Sequence, residues 1–168
     1  MNRGYKKAGI ISIGNELLSG KTVDTNAAYI EGQLRTVGLP VVCVYGVADE
    51  EPAIRRKLAL ALEEADILVI SGGLGPTDDD LTRQAIAGLL GVDLVLREDL
   101  LAGLRQFFDR RGIEMVRKNE IQAYIPQGAT PIVNERGTAP GIRAELGGKV
   151  LYAMPGVPGE MRHMLDTF

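Results

Sequence analysis

The sequence contains few cysteine, histidine and aromatic residues. Its 168 residues include one cysteine, one histidine, no tryptophan and only 5% aromatic residues. With a single cysteine, Cys43, an intramolecular disulfide is excluded, and this low usage is typical of a reducing compartment. We therefore expect a cytoplasmic protein whose core is built from aliphatic side chains.

A strong charge imbalance and a long apolar run are also missing. The formal net charge is −3, which argues against a general nucleic-acid-binding protein and against a protein of the membrane surface. The first apolar stretch, residues 10–13, contains a serine and ends at a glycine. It is too short for a signal peptide or a membrane span. We expect neither nucleic acid nor membrane as a partner.

Glycine, by contrast, is abundant, with 21 residues in 168, against a usual share of about 7%. Hydrophobic residues make up 45% and charged residues 24% of the chain, which are ordinary values for a globular domain. The length fits one domain over residues 1–168.

The apolar residues form strand-like runs that alternate with helical stripes. Strands are predicted at residues 8–14, 41–47, 66–71 and 94–96, and a hairpin at residues 142–154. Helices are predicted at residues 27–37, 54–65, 81–89, 100–108, 113–124 and 160–165. Such alternation predicts an α/β fold. We expect a three-layer α/β/α domain with a mostly parallel sheet and a small antiparallel element near the C-terminal third.

Three glycine-containing segments directly follow predicted strands. They are residues 14–20, 71–77 and 154–160. In open α/β sheets, ligands bind in the crevice beyond the carboxyl ends of the strands, so all three segments could meet there.

The middle segment is the most informative of the three. Gly72, Gly73 and Gly75 permit positive φ and a close backbone approach to a phosphate. Residues 78–80 are three consecutive aspartates at the start of the following predicted helix. They could cap that helix, or they could surround Mg²⁺ or another hard cation, and the spacing leaves both interpretations open. Similarly, Asn26 is suited to cap the next helix, and Asp49 to cap the one at residues 54–65.

Common nucleotide and hydrolase motifs do not match. The glycine loop lacks the G-x-G-x-x-G spacing of dinucleotide-binding folds, and G-x-x-x-x-G-K-[ST] is missing from the chain. The G-x-S-x-G nucleophile elbow is missing too.

Six blocks of residues point instead to a known family. They are residues 14–20, 24–26, 72–82, 118–123, 137–141 and 155–161. In this order they resemble the N-terminal domain of the CinA (competence/damage-inducible protein) family, within the wider molybdopterin-binding MoaB/MogA-like superfamily. The resemblance extends over residues 8–166.

The resemblance implies functions that the composition and spacing do not. In the CinA branch, the domain is similar to a metal-dependent pyrophosphatase that acts on ADP-ribose and related dinucleotides. Two alternatives remain open, a non-catalytic molybdopterin- or nucleotide-binding module and adenylyl transfer in molybdenum-cofactor biosynthesis. Members form homo-oligomers. Their first domain runs on beyond residue 168, and longer members have a C-terminal deamidase domain, so this chain could be truncated.

Acidic residues are the implied catalytic and metal-binding groups. Asp80 matches the aspartate of the cofactor-synthesis branch, whereas Asp79 stands where that branch tends to have arginine, which favours the CinA branch. The resemblance implies catalysis by Asp79, Asp80 and Glu16, and binding of Mg²⁺ or a similar divalent cation by these three together with Asp24. The residues implied to bind the nucleotide or pterin are Gly14, Asn26, Gly72, Gly73, Gly75, Thr77, Thr82, Asn119, Gln122, Gly137, Thr138, Pro140, Gly141, Pro155 and Gly156.

Overall fold

The computed structural model describes residues 6–167. The strands are β1 (Ala8–Ile13), β2 (Val41–Val47), β3 (Ile67–Ser71), β4 (Leu94–Leu96), β5 (Tyr124–Pro126), β6 (Thr130–Ile132), β7 (Gly141–Leu146) and β8 (Lys149–Met154). The helices are α1 (Asn15–Leu18), α2 (Thr25–Thr36), α3 (Glu51–Glu64), α4 (Thr82–Leu90), α5 (Glu98–Asp109) and α6 (Pro158–Thr167), with a 3₁₀ helix at Arg117–Ala123.

Six strands form one sheet in the order β2-β1-β3-β8-β7-β6. The first four strands run parallel to one another. Strand β7 pairs antiparallel with β8, and β6 pairs antiparallel with β7. Strands β4 and β5 form a separate antiparallel pair. The predicted mostly parallel sheet with an antiparallel element is confirmed, including the β7–β8 hairpin.

Helices cover both faces of the sheet. Helices α3 and α4 pack together on one face, and α2 and α6 on the other. The side chains of β1 alternate between the two resulting cores, because successive residues of a strand point to opposite faces. Ile11 and Ile13 enter the α3/α4 core, and Ala8 and Ile10 enter the α2/α6 core. The three-layer architecture is therefore confirmed.

None of the helices within residues 6–167 is both long enough and apolar enough to cross a membrane.

Three local predictions are wrong. Residues 113–116 are not helical, and the 3₁₀ helix begins only at Arg117. Asn26 does not cap α2; the side chain of Asp24 accepts the N–H of Ala27 instead. Asp49 does not cap α3, whose N-cap residue is Glu50, because its carboxylate accepts the N–H of Asn15, at 2.8 Å.

Candidate functional site

The three glycine segments meet at one edge of the sheet. Strands β1, β3 and β8 are parallel neighbours, so their carboxyl ends lie side by side. The segments that follow them line a common cavity of about 500 Å³, with Gly14, residues 72–75 and the pair Pro155 and Gly156 on its walls. We call it the loop cavity, and residues 72–75 the glycine loop.

The glycine loop has a backbone shape that only glycine adopts without strain. Gly72 has φ 107° and Gly73 has φ 67°, both in the region that L side chains rarely occupy. A Cβ on Gly72 would collide with the carbonyl oxygen of Ile13, and one on Gly73 would collide with the hydroxyl of Thr82. Thr82 is fully buried and donates that hydroxyl to the Gly72 carbonyl, at 2.8 Å.

Arg83 supports the loop from inside the protein. Its side chain is 1% exposed, and its guanidinium donates to the carbonyl oxygens of Leu74 and Gly75. Burial lowers the pKa of this guanidinium to about 10, so it remains charged at neutral pH. These two carbonyl groups are thereby turned toward Arg83, whereas those of Gly72 and Gly73 accept from Thr82.

Three of the four N–H groups of the loop are left as free donors, whereas that of Gly72 donates to the Met154 carbonyl, at 3.0 Å. Within the described part of the chain, the N–H groups of Gly73, Leu74 and Gly75 find no acceptor. Consecutive backbone N–H groups in such a turn form a concave anion-binding site, known as a nest.

Carboxylates surround this loop. Glu16, Asp49, Asp79, Asp80 and Glu160 line the loop cavity, and no lysine, arginine or histidine from residues 6–167 does so. The pKa of Asp49 is raised above its ordinary value, first by burial and then by the negative charges of Glu16, Asp79 and Asp80. The loop cavity is thus a strongly negative environment around free N–H donors.

Asp80 organises the loop rather than the helix that follows. Its carboxylate accepts the N–H and the hydroxyl of Thr77, at 2.8 and 2.5 Å. The N-cap residue of α4 is Leu81, and no side chain caps that helix, so the capping interpretation of the aspartates is wrong. Asp78 points away, with a 97% exposed side chain that pairs with Lys118.

A complete set of protein ligands for a metal is not preformed. Among residues 6–167, no group of three or more histidine, cysteine, aspartate or glutamate side chains could hold a metal ion. The carboxylates are nevertheless hard oxygen donors, and Mg²⁺ is typically bound by one or two carboxylates together with water and substrate phosphate. Their chemistry therefore fits a cation that arrives with a phosphorylated ligand.

The other predicted site residues are distributed around the loop cavity. Thr77 and Gln122 line it, and Gln122 donates to the hydroxyl of Thr138, at 3.0 Å. Thr138 also lines a neighbouring cavity of about 550 Å³, together with Gly137 and Pro140.

Five predicted residues line neither of these two cavities. Thr82 is buried beneath the glycine loop, where its hydroxyl bonds the Gly72 carbonyl. Asp24 and Asn26 line a smaller cavity between β1, β3 and α2. Asn119 lies in the 3₁₀ helix. Gly141 lies in β7, where a Cβ would meet the carbonyl oxygen of Ala153 at 2.7 Å, which indicates a packing role.

Sequence reasoning missed Asp49 and Arg83 as site residues. Asp49 follows β2 directly and therefore lies at the same sheet edge as the glycine segments, a signal that the strand pattern contained. Arg83 had no comparable signal, because a lone arginine within a helix normally lies on the surface.

Comparisons with known proteins agree with this geometry. The model of the family described as "Probable molybdopterin binding domain" matches residues 9–168. A CinA-like protein of Dictyoglomus turgidum is 42% identical over 159 residues, which are 95% of this chain and 39% of that protein. This chain thus spans about two fifths of the length of that curated relative.

Solved structures give the same result. The crystal structure of the protein CinA, of unknown function, from Thermoplasma acidophilum has a TM-score of 0.90 and 40% identity, over 96% of this chain and 95% of that one. The molybdopterin biosynthesis enzyme MoaB from Thermus thermophilus has a TM-score of 0.64 and 22% identity, over 96% and 87% of the two chains. At that identity, the second likeness shows the fold alone.

Proposed function

This chain belongs to the family of probable molybdopterin binding domains, in its CinA-like group, and from that premise we propose that it binds the phosphate groups of a pterin or nucleotide at the glycine loop. The observation that supports this most directly is the row of free N–H groups at Gly73, Leu74 and Gly75. Free N–H donors in a glycine-rich turn suit a phosphate oxygen.

The carboxylates of the loop cavity add a requirement for a cation. A diphosphate placed among five carboxylates would be repelled, since like charges at a few ångströms cost free energy even with solvent screening. We propose that Mg²⁺ or a similar cation would be held by the ligand phosphate, by water and by one or two carboxylates from among Asp79, Asp80 and Glu16. When bound, such a cation would supply charge neutralisation and Lewis-acid activation of water.

The same acidic wall favours a second candidate function, hydrolysis of the diphosphate in ADP-ribose or a related dinucleotide. In this reaction the free N–H groups of the loop would hold one phosphate and stabilise its growing negative charge. Asp80, fixed by Thr77, would orient a water molecule toward phosphorus. Adenylyl transfer is the other activity to be tested, and the incubation described below distinguishes it from hydrolysis.

Calorimetric titration with pyrophosphate, with and without Mg²⁺, tests the binding proposal. We expect binding that requires Mg²⁺, and at least a tenfold loss of affinity in Gly73→Ala, because the loop cannot keep its shape around a Cβ. Gly20→Ala is the matched control. Gly20 also has a positive φ, of 71°, but no atom lies within 4 Å of its Cβ position. Unchanged affinity in a folded Gly73→Ala variant would contradict the proposal.

Incubation with ADP-ribose and Mg²⁺ separates the candidate activities. Release of AMP supports the hydrolase. Tight binding without turnover supports a binding module, and turnover only with molybdopterin and ATP supports adenylyl transfer.

A further inference from the structure

Two buried serines lie side by side on strands that are otherwise apolar. Ser12 of β1 and Ser71 of β3 are register partners, and they are 1% and 3% exposed. Because Ile10 and Val69, two positions earlier, lie in the α2/α6 core, both hydroxyls point to that face. They lie at the carboxyl ends of their strands, next to the glycine segments.

Asn26 of α2 faces this pair from the helix layer. Its side-chain Nδ2 donates to the hydroxyl of Ser71 and to the carbonyl oxygen of Gly156, each at 2.8 Å. A carbonyl only accepts hydrogen bonds, so the amide cannot be flipped, and its Oδ1 must point elsewhere.

Two polar atoms of this cluster have no partner in the protein. Among the described residues, Asn26 Oδ1 and Ser12 Oγ are buried and make no hydrogen bond, although Asn26 is only 8% exposed. Buried polar atoms are paired in the great majority of native structures, so a pair of unpaired ones calls for an occupant.

A cavity is present where that occupant would lie. It measures about 120 Å³ and is lined by Ser12, Asn26 and Ser71. We call it the serine cavity. It shares Ile13, Glu16 and Gly156 with the loop cavity, so the two are direct neighbours. Its volume corresponds to roughly four water molecules at about 30 Å³ each, or to a small polar group of a larger ligand.

We propose that the serine cavity binds the vicinal hydroxyls of a ribose whose diphosphate lies at the glycine loop; this rests on the proposed function. No lysine, arginine or histidine of residues 6–167 lines the serine cavity, so a phosphate is a poor occupant. A sugar hydroxyl both donates and accepts. One such group can donate to Asn26 Oδ1, and its neighbour can exchange a hydrogen bond with Ser12 Oγ.

Ser12→Ala is a clean test because Ser12 Oγ has no protein partner to lose. Calorimetry is carried out on the full chain with Mg²⁺, using ADP, 2′-deoxy-ADP, 3′-deoxy-ADP and pyrophosphate. We expect wild type to bind at least one deoxy nucleotide about tenfold more weakly than ADP. In Ser12→Ala the difference disappears for the deoxy nucleotide that lacks the hydroxyl at Ser12, while the pyrophosphate affinity and the unfolding temperature without ligand stay at or above the wild-type values.

Ser19→Ala is the matched control. Ser19 is exposed and lines neither cavity, so this variant should retain the discrimination between ADP and its deoxy forms. If wild type binds pyrophosphate but binds ADP and both deoxy forms with equal affinity, the ribose inference is overturned and water is the occupant. The proposed binding of phosphate would still stand. A Ser12→Ala variant that loses pyrophosphate affinity as much as ADP affinity would overturn the ribose inference as well. If wild type does not bind pyrophosphate, the proposed function fails first, and this inference with it.

Discussion

Arg83 is a charged side chain that the protein encloses almost completely, at 1% exposure. Its guanidinium holds two carbonyl oxygens of the glycine loop, and hydrogen bonds to a charged group contribute about 1.5–3 kcal/mol each. No other side chain of the described residues donates to these two carbonyls, so the shape of this half of the loop depends on Arg83, as Gly72 depends on Thr82.

We predict that Arg83→Met lowers the free energy of unfolding by about 3 kcal/mol, because two carbonyls lose their donor while the packing volume is largely kept. Urea unfolding measures the change. Arg56→Met is the control, since Arg56 is exposed on α3, and it should stay within about 0.5 kcal/mol of wild type. Equal changes for the two variants would show that Arg83 does not support the loop.

Asp80 lines the loop cavity and Asp78 lies on the surface, so variants at these two positions compare a site residue with a surface residue of the same short segment. Asp80→Asn keeps an oxygen that can accept from Thr77, so unfolding without ligand should change by about 1 kcal/mol or less. The charge is lost, and we expect the affinity for Mg²⁺ with pyrophosphate to fall at least tenfold. Asp78→Asn should leave this affinity unchanged, since Asp78 is 97% exposed. Calorimetry that gives the same small effect for both variants would remove Asp80 from the cation site.

Among the helices, α2 depends on a side-chain cap at its start. Asp24 accepts the N–H of Ala27, at 2.9 Å, and an N-cap of this kind contributes about 1 kcal/mol.

We predict that Asp24→Ala lowers the free energy of unfolding by about 1 kcal/mol, while Asp24→Asn, which retains the cap, stays close to wild type. Thermal unfolding without ligand gives both values. The Asn variant also addresses the predicted metal role. If Asp24 binds the cation, Asp24→Asn lowers cation affinity without lowering stability, and an unchanged affinity would restrict Asp24 to capping.

The major strands and helices could be predicted because each has an apolar pattern of its own. Helix α4 follows its prediction closely, and it ends at Gly91 with φ 68°, a left-handed C-terminal cap that glycine adopts without strain. For residues 113–124, prediction from the apolar pattern is wrong over the first four residues. Ile113, Ile121 and Tyr124 are spaced for one face of a helix. However, β5 pairs with β4 from Tyr124 onward, and the residues before it form a 3₁₀ helix from Arg117.

The candidate site could be predicted in outline for a topological reason. Segments that follow parallel strands must meet at one edge, so the three glycine segments were sufficient to locate the loop cavity. The inward turn of Arg83 and the pairing of Asn26 with Ser71 depend on contacts between elements distant in sequence, and no local pattern encodes them.

Taken as a whole, the molecule concentrates negative charge in the loop cavity although its net charge is only −3. Asp49 reports on this concentration, because its pKa is raised by burial and by neighbouring carboxylates. The carboxyl group of Asp49 therefore holds its proton more tightly in the folded protein than in the unfolded chain. The resulting stabilisation is complete below the unfolded pKa, near 3.8, and is lost as the pH rises through the higher folded value.

We predict that Asp49→Asn removes this loss, since an amide keeps the hydrogen bond from Asn15 without a charge. Without added cation, wild type should lose stability relative to Asp49→Asn as the pH rises from about 4 to about 7. Urea unfolding across that range measures the difference. Asp93→Asn, an exposed carboxylate outside the loop cavity, serves as the control. A difference between wild type and Asp49→Asn that does not change with pH would contradict the assignment.

Homo-oligomer formation and a C-terminal deamidase domain remain predictions. Light scattering on this chain at micromolar concentration tests the first. The second concerns sequence outside these 168 residues.

The rate at which the Cys43 thiol is alkylated can measure how often the edge of the sheet opens. Cys43 carries the chain's one thiol, it lies on the edge strand β2 beside Gly9 of β1, and burial raises its pKa. Its side chain lies in the core beneath α3, so an alkylating reagent should modify it when that core opens at β2, and the rate of mass gain measures the local opening of that edge. A phosphorylated ligand that tightens the segments after β1 and β3 should slow this reaction, which would let one native thiol report occupancy of the loop cavity without any engineered probe.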